Sequence, residues 1–263
     1  MKNKTLGIVA FLGITGLCIG LSGCGKNADT VAGSSIPIEP GEHVMYGSYQ
    51  GEPVEWRVLD KKDGEILLLS EYGLDAQPFD TSGKSRVDWK DSTIRKWLND
   101  DFYNSAFSEK EKENIVESKS EGFEEYNTSM NLTGGGKPYA YLEREIEDKV
   151  FLLSNTELCA YFSEDPYPGC YSDPYAHKEL LCYPTAYAKQ QLETRYQTET
   201  CGWWLCNHVY EDDSVELVSA YGQGSGTSRE NIKANTKSIA VRPAMWVTWQ
   251  SDMEMVEANQ QVE

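Results

Sequence analysis

Apolar and polar positions alternate most clearly early in the chain. Val54, Trp56 and Val58 are separated by Glu55 and Arg57, a period of two that predicts a strand with one dry and one wet face over VEWRVLD, Val54–Asp60. HVMYGSYQ before it reads as a strand. EILLLSEY after it, Glu65–Tyr72, reads as a third, whose Ile66–Leu69 run is apolar on both sides and belongs deeper. KKDG, Lys61–Gly64, joins the last two, and Asp63-Gly64 offers the positive φ of a tight hairpin turn. The period then changes: Ile94, Trp97, Leu98 and Phe102 stand at i, i+3, i+4 and i+8 behind Asp91 or Ser92 as a cap, which predicts a helix. Ser108 with Glu111 and Ser154 with Glu157 have the spacing of capping boxes, the first opening a charged surface helix, EKEKENIV, and the second a short helix through Phe162. Further strands are predicted at DKVFLLS (Asp148–Ser154), Gly202–Cys206, Val215–Tyr221 and Ile239–Val247. Pro243 inside the last removes a ladder donor, which places that strand at an edge or a bulge. Glu117–Arg144 is a long polar loop, and its Gly134-Gly135-Gly136 run lacks the Lys-Ser/Thr and leading strand of a phosphate loop. Strands, a few flanking helices, then more strands and long loops predict an α+β fold of twisted, mainly antiparallel sheets.

The periodicity is missing at both ends. MKNKTLGIVAFLGITGLCIGLSGCGKN has a basic start at Lys2 and Lys4, an uncharged apolar run from Leu6 to Leu21, and Ser22-Gly23 before Cys24. Residues 1–23 therefore read as a secretory signal peptide, since the run is short for a span of about 20 residues. Leu21-Ser22-Gly23-Cys24 resembles a bacterial lipobox, which implies a diacylglycerol thioether on Cys24 and a protein held at the cell membrane by acyl chains, facing the extracytoplasmic side. Residues 24–40 read as the lipidated cysteine with a flexible tether, 41–249 as a single domain, and 250–263 as a flexible tail that frays. The formal charge of −18 becomes more negative once Lys2 and Lys4 leave with the signal. Such a surface repels nucleic acid and anionic headgroups.

Candidate chemistry concentrates in CGWWLCNH, Cys201–His208. On a strand Cys201 and Cys206 lie about 16 Å apart on opposite faces, too far for the roughly 7 Å limit of a disulfide. As metal ligands Cys201, Cys206 and His208 lack the C-x2-C knuckle of structural zinc, so no metal is assigned. Cys206 beside His208 has no visible oxyanion hole, and the chain has no Gly-x-Ser-x-Gly elbow and no His-Glu-x-x-His helix. Trp203 and Trp204 point to opposite faces by strand alternation. Tyrosines recur at 161, 167, 171, 175, 183, 187 and 196 around EDPYPGCYSDPYAH, and phenol rings beside carboxylates suit stacking on sugars or holding a cationic peptide. Glu211-Asp212-Asp213 offers calcium a set of carboxylates if backbone carbonyls join in, and no other cofactor is expected.

The blocks VEWRVLDKKDGEILLLSEYGLDAQPF, STIRKWLNDDFYNSAFSEKEKENI, DKVFLLSNTE, CYPTAYAK, GWWL and VRPAMWV, in that order, resemble domain-of-unknown-function family 6273 over most of Glu42–Val247. The family occurs in secreted and lipid-anchored bacterial proteins and brings no assigned activity. It looks like a distant member of the C-type-lectin-like folds, which include the formylglycine-generating enzymes, although the lectin motifs Glu-Pro-Asn and Trp-Asn-Asp are absent. Relatives follow Trp-Trp-Leu with Arg-Ser-Pro-Gly, where this chain has Cys206-Asn207-His208-Val209, so any role of that arginine is lost here. The family order places the Cys182 and Cys201 blocks side by side and implies a bridge closing a loop of about 20 residues, adding about 3 kcal/mol. Five cysteines lie outside the signal and anchor, Cys159, Cys170, Cys182, Cys201 and Cys206, so at least one thiol stays unpaired. The expectation is a lipid-anchored surface module binding a carbohydrate or peptide, with Tyr167, Tyr171, Tyr175, Trp203, Trp204 and Arg242 as candidate contact residues. The rivals are an extracytoplasmic oxidase of the formylglycine-generating type, with paired reactive cysteines in a groove, and a structural surface protein.

Overall fold

The alternation of Val54, Trp56 and Val58 sets the central sheet. These side chains are buried while Glu55 and Arg57 between them are half-buried, on a strand that runs between two others. β1 (His43–Tyr49), β2 (Glu52–Lys62) and β3 (Glu65–Ser70) form a meander. Its turns are Gln50-Gly51 and Asp63-Gly64, all four residues at positive φ, the backbone that matches the twist of a two-residue hairpin. Between Val58 and Asp60 the β2–β3 register shifts by one, which buries Leu59 as well as Val58.

The computed structural model describes residues 36–84, 87–119, 146–162, 178–193, 199–208, 215–223 and 234–256, all in the compact unit Ser35–Glu263. A helical run follows the meander: α1 (Thr93–Trp97), a π-helical turn (Leu98–Phe102) and α2 (Tyr103–Ala106). Ser92 caps it by accepting from the Arg95 amide. Its buried stripe of Ile94, Leu98, Phe102 and Ala106 belongs to the same core as the meander, with Phe102 5.0 Å from the Tyr49 ring. α3 (Glu109–Lys112) opens with the capping box of Ser108 and Glu111. Beyond it lie β4 (Ile115–Val116), α4 (Asn155–Phe162), α5 (Ala186–Gln191), β5 (Trp203–His208), β6 (Val215–Val218), β7 (Ala244–Thr248) and β8 (Glu254–Val256). The order in the six-stranded sheet is β4-β7-β3-β2-β1-β8 with every pairing antiparallel, and β5 and β6 form a separate antiparallel pair. The fold is α+β. Among the described residues no helix is long and apolar enough to cross a membrane.

Three local expectations are corrected. DKVFLLS is no ladder strand: β4 occupies Trp246 and Val247 of β7, leaving Ala244 to pair with Phe151 in an isolated bridge. The segment is nonetheless fully packed, with Val150–Leu153 at 0% exposure. Asn99 holds its start, accepting from the amides of Lys149 and Val150 and donating to the Val150 carbonyl. Asp148 beside it accepts from Trp89 and Arg95. Second, Pro243 divides Ile239–Val247 in two. β7 begins at Ala244 as an interior strand, while Ala240 and Val241 bridge Trp203 and Asp75. Third, the tail from Gln250, predicted to fray, supplies edge strand β8, which pairs Glu254, Met255 and Val256 with Met45, Val44 and His43.

Candidate functional site

The wet face of β2 carries Glu55 and Arg57, and antiparallel pairing fixes what they meet. His43 of β1 lies opposite Arg57, and the Glu71 amide, just past β3, donates to the Glu55 carbonyl. His43 Nδ1 is 2.7 Å from Glu55 Oε1, and Arg57 grips Glu71 through two parallel hydrogen bonds of 2.9 and 3.0 Å. On its inner side Glu71 faces a second guanidinium, with Arg242 Nη2 3.7 Å from Glu71 Oε2. Arg242 reaches this place because Pro243 ends the β7 ladder just after it, while the Pro243 carbonyl accepts from Ser70.

Arg242 is fully buried, and its Nε donates to the Ser70 carbonyl at 2.8 Å. Its guanidinium carbon stands 5.0 Å from the centre of the Trp203 ring. Its two terminal nitrogens have no hydrogen-bond partner, so the nearby Glu71 carboxylate and the Trp203 π face are what offset a charge that is costly to bury. Burial alone would raise the Glu71 pKa. The Arg57 hydrogen bonds, the Arg242 and Arg57 charges and His43 outweigh it and hold the carboxyl below its ordinary range.

Sulfur completes the cluster. The Cys201 amide donates to the Cys182 carbonyl at 2.8 Å, the Cys201 thiol donates to the same carbonyl at 3.4 Å, and both side chains are buried. Cys182, Cys201 and Cys206 are free and buried in this structure. Gly73 makes room for the pair, since a Cβ there would stand 2.9 Å from Ala240 Cβ, 3.2 Å from the Cys201 sulfur and 3.4 Å from the Cys182 sulfur. Burial pushes the Cys182 thiol up, but the hydrogen bond with Cys201 and the Arg242 charge bring it below the ordinary thiol value. Cys201 goes the other way, raised well above that value by its hydrogen bond to Cys182 and by burial.

Outward from this cluster the chain exposes aromatic surface. Tyr72 is 36% and Tyr183 38% exposed, and their main chains adjoin where the Gly73 amide donates to the Tyr183 carbonyl at 3.0 Å. Burial and the carboxylates of Glu55 and Glu71 raise the Tyr72 pKa.

Of the residues singled out from sequence, Arg242, Trp203, Cys182 and Cys201 come together here. Trp203 and Trp204 do lie on opposite faces of β5, but neither opens to solvent. Trp203 donates to the Leu180 carbonyl, and Trp204 donates to the Gln77 carbonyl and packs edge-on against Phe79. Cys206 is buried with its amide on the Leu153 carbonyl. Cys24, Tyr167, Tyr171, Tyr175 and Glu211–Asp213 lie outside the described residues. Sequence reasoning missed His43, Glu55, Arg57, Glu71 and Tyr72, while Tyr183 stood among the recurring tyrosines. The one available signal was the Glu55–Arg57 pair on the wet side of an otherwise dry strand.

No curated protein and no solved structure matches this chain. Residues 63–249 match the family described as a domain of unknown function (DUF6273), so the match leaves out β1, all of β2 and β8, which the sheet nevertheless includes. With well over half of its residues in that match, from the β2–β3 turn through β7, this chain belongs to the DUF6273 family.

Proposed function

We propose that this protein is a lipid-anchored, extracytoplasmic binding module that takes a saccharide at the junction of Tyr72 and Tyr183, with a distantly C-type-lectin-like fold. The observation that carries the reading is two exposed phenols on adjoining main chains, beside Glu55 and Glu71. Phenol faces stack on pyranose rings, and carboxylates accept from sugar hydroxyls. The charge of Glu179, in the helical turn Lys178–Leu180, bears on Arg57 of the same cluster. The lipobox-like Leu21–Cys24 supports attachment through acyl chains on Cys24. The antiparallel sheet with flanking helices is compatible with the lectin-like reading. A basic peptide is the second reading, favoured by the formal charge of −18.

The test is a thermal-shift and calorimetric panel of the full chain against neutral oligosaccharides, peptidoglycan fragments, basic peptides and calcium. A ligand at about 100 times its Kd stabilises by about 2.7 kcal/mol. A saccharide that binds should lose roughly tenfold in affinity in Tyr72→Ala or Tyr183→Ala, since a stacked ring is worth about 0.5–1.5 kcal/mol. Binding confined to the basic peptides selects the second reading. No shift with any member of the panel selects a structural surface protein.

A further inference from the structure

Two thiols and an under-satisfied buried arginine share one place in this fold, and the saccharide reading uses none of the three. We propose that Cys182 and Cys201 form a reversible thiol–disulfide site, oxidised by a low-molecular-weight disulfide or by the disulfide of a partner oxidoreductase, with Arg242 positioning the anionic sulfur. Geometry carries this. The hydrogen bond from the Cys201 amide to the Cys182 carbonyl sets the two main chains side by side. Chains so joined lie about 5 Å apart, inside the Cα separation of about 4.4–6.8 Å that a disulfide spans. Both sulfurs approach the single point over Gly73, at 3.2 and 3.4 Å, so no large main-chain movement stands between them. Arg242 has two terminal nitrogens without a hydrogen-bond partner at 0% exposure, and its charge bears on both sulfurs.

The two cysteines divide the work by access. Cys201 is 7% exposed and Cys182 is 0% exposed, so the incoming disulfide R–S–S–R meets Cys201. The Cys201 thiol gives its proton to solvent, and the thiolate so formed attacks. A bond forms from Cys201 to one sulfur of R–S–S–R, and the first RS⁻ departs with the electron pair of the broken S–S bond, taking up the proton given up by Cys182. The Cys182 thiolate then attacks the Cys201 sulfur and expels the second RS⁻, which takes a proton from solvent. In sum, one disulfide and two protein thiols become a protein disulfide and two RSH. The protein loses two electrons and the small disulfide gains them.

The test needs no saccharide, so its failure is separate from that of the binding reading. The full chain is equilibrated across mixtures of reduced and oxidised glutathione, acid-quenched, denatured and alkylated, and each cysteine peptide is weighed, with Cys206 as the internal reference. The expected result is a joint loss of alkylation at Cys182 and Cys201 in one two-electron transition, with a peptide cross-linked between them, while Cys206 stays reactive throughout. Cys182→Ser should accumulate glutathione on Cys201, because the resolving sulfur is gone, and Cys201→Ser should leave Cys182 free. Continued alkylation of both residues at the most oxidising mixture overturns the proposal, and so does a bridge to Cys206. Glutathione on Cys182 in the Cys201→Ser chain overturns the order of attack. Circular dichroism of each variant establishes that the native fold is what is being titrated, and the wild-type titration decides the bridge even where a variant does not fold.

Discussion

Glu71 is the residue on which the candidate site turns, because it stands between the guanidiniums of Arg57 and Arg242. Removing its charge leaves Arg242 buried without its nearest carboxylate. Glu71→Gln should therefore cost about 3–5 kcal/mol at neutral pH, read by urea unfolding, and a loss under about 1 kcal/mol would mean that Trp203 and Ser70 hold Arg242 without it. The same residue gives a pH dependence. Its folded pKa is depressed, so its stabilisation is fully present above the unfolded value of about 4.3 and is lost as pH falls through the lower folded value. Wild type should lose stability on acidification below about pH 4, and the Glu71→Gln chain should lose less over that interval. Neither partner was legible beside Glu71 in the sequence. The Arg242 side chain meets the main chain of Ser70, adjacent to Glu71, across 172 positions.

At the scale of elements, Gly47 shows how a helix end locks onto the sheet. It sits in β1 at φ +70°, and a Cβ there would lie 2.6 Å from the Ala106 carbonyl oxygen and 2.7 Å from the Phe107 ring. Its amide donates to the same Glu111 carboxylate that completes the capping box of α3, and the Tyr46 hydroxyl donates to the Glu111 carbonyl. The cap thus joins α3 to β1 as well as ending its own orphan amides. Gly47→Ala should cost about 2–4 kcal/mol, the left-handed backbone and the overpacked contact both contributing. Gly64→Ala, at φ +89° with open space around it, should cost about 1–2 kcal/mol from the backbone alone. Equal costs in chemical denaturation would show that the Ala106–Phe107 contact relaxes freely. Both capping boxes were legible in sequence, because a cap is made within four residues; that Glu111 would also reach Gly47 was not.

For the whole molecule, the boundary lies wider than the 63–249 family match. β1 is an interior strand between β2 and β8, and β8 covers its outer edge, although each lies outside the matched residues. A chain ending at Gln250 should still fold, since β8 is three residues long and mostly exposed. It should nevertheless bare the β1 edge, and unpaired edges invite association with other chains. Hydrogen exchange of the β1 amides that face β8 should rise by about tenfold or more, with little change in β3. Unchanged protection in His43–Met45 would mean that β8 contributes pairing without stability.

The sequence by itself determined the parts whose causes are local. These are the β1–β3 meander from period-two alternation and Asp63-Gly64, the amphipathic helical run from its i, i+3, i+4 stripe, the capping boxes, and the α+β class that follows. Only the tertiary structure decided which apolar segments become ladder strands, because β7 can seat one neighbour at each position and β4 takes Trp246 and Val247 before Phe151 can. It alone sent the tail back to β1 and seated both Trp203 and Trp204 in the core. It also assembled Arg242, Glu71, Cys182 and Cys201 at one point. Burial is a property of what surrounds a residue, and a charge can be buried only where distant segments arrive together to offset it.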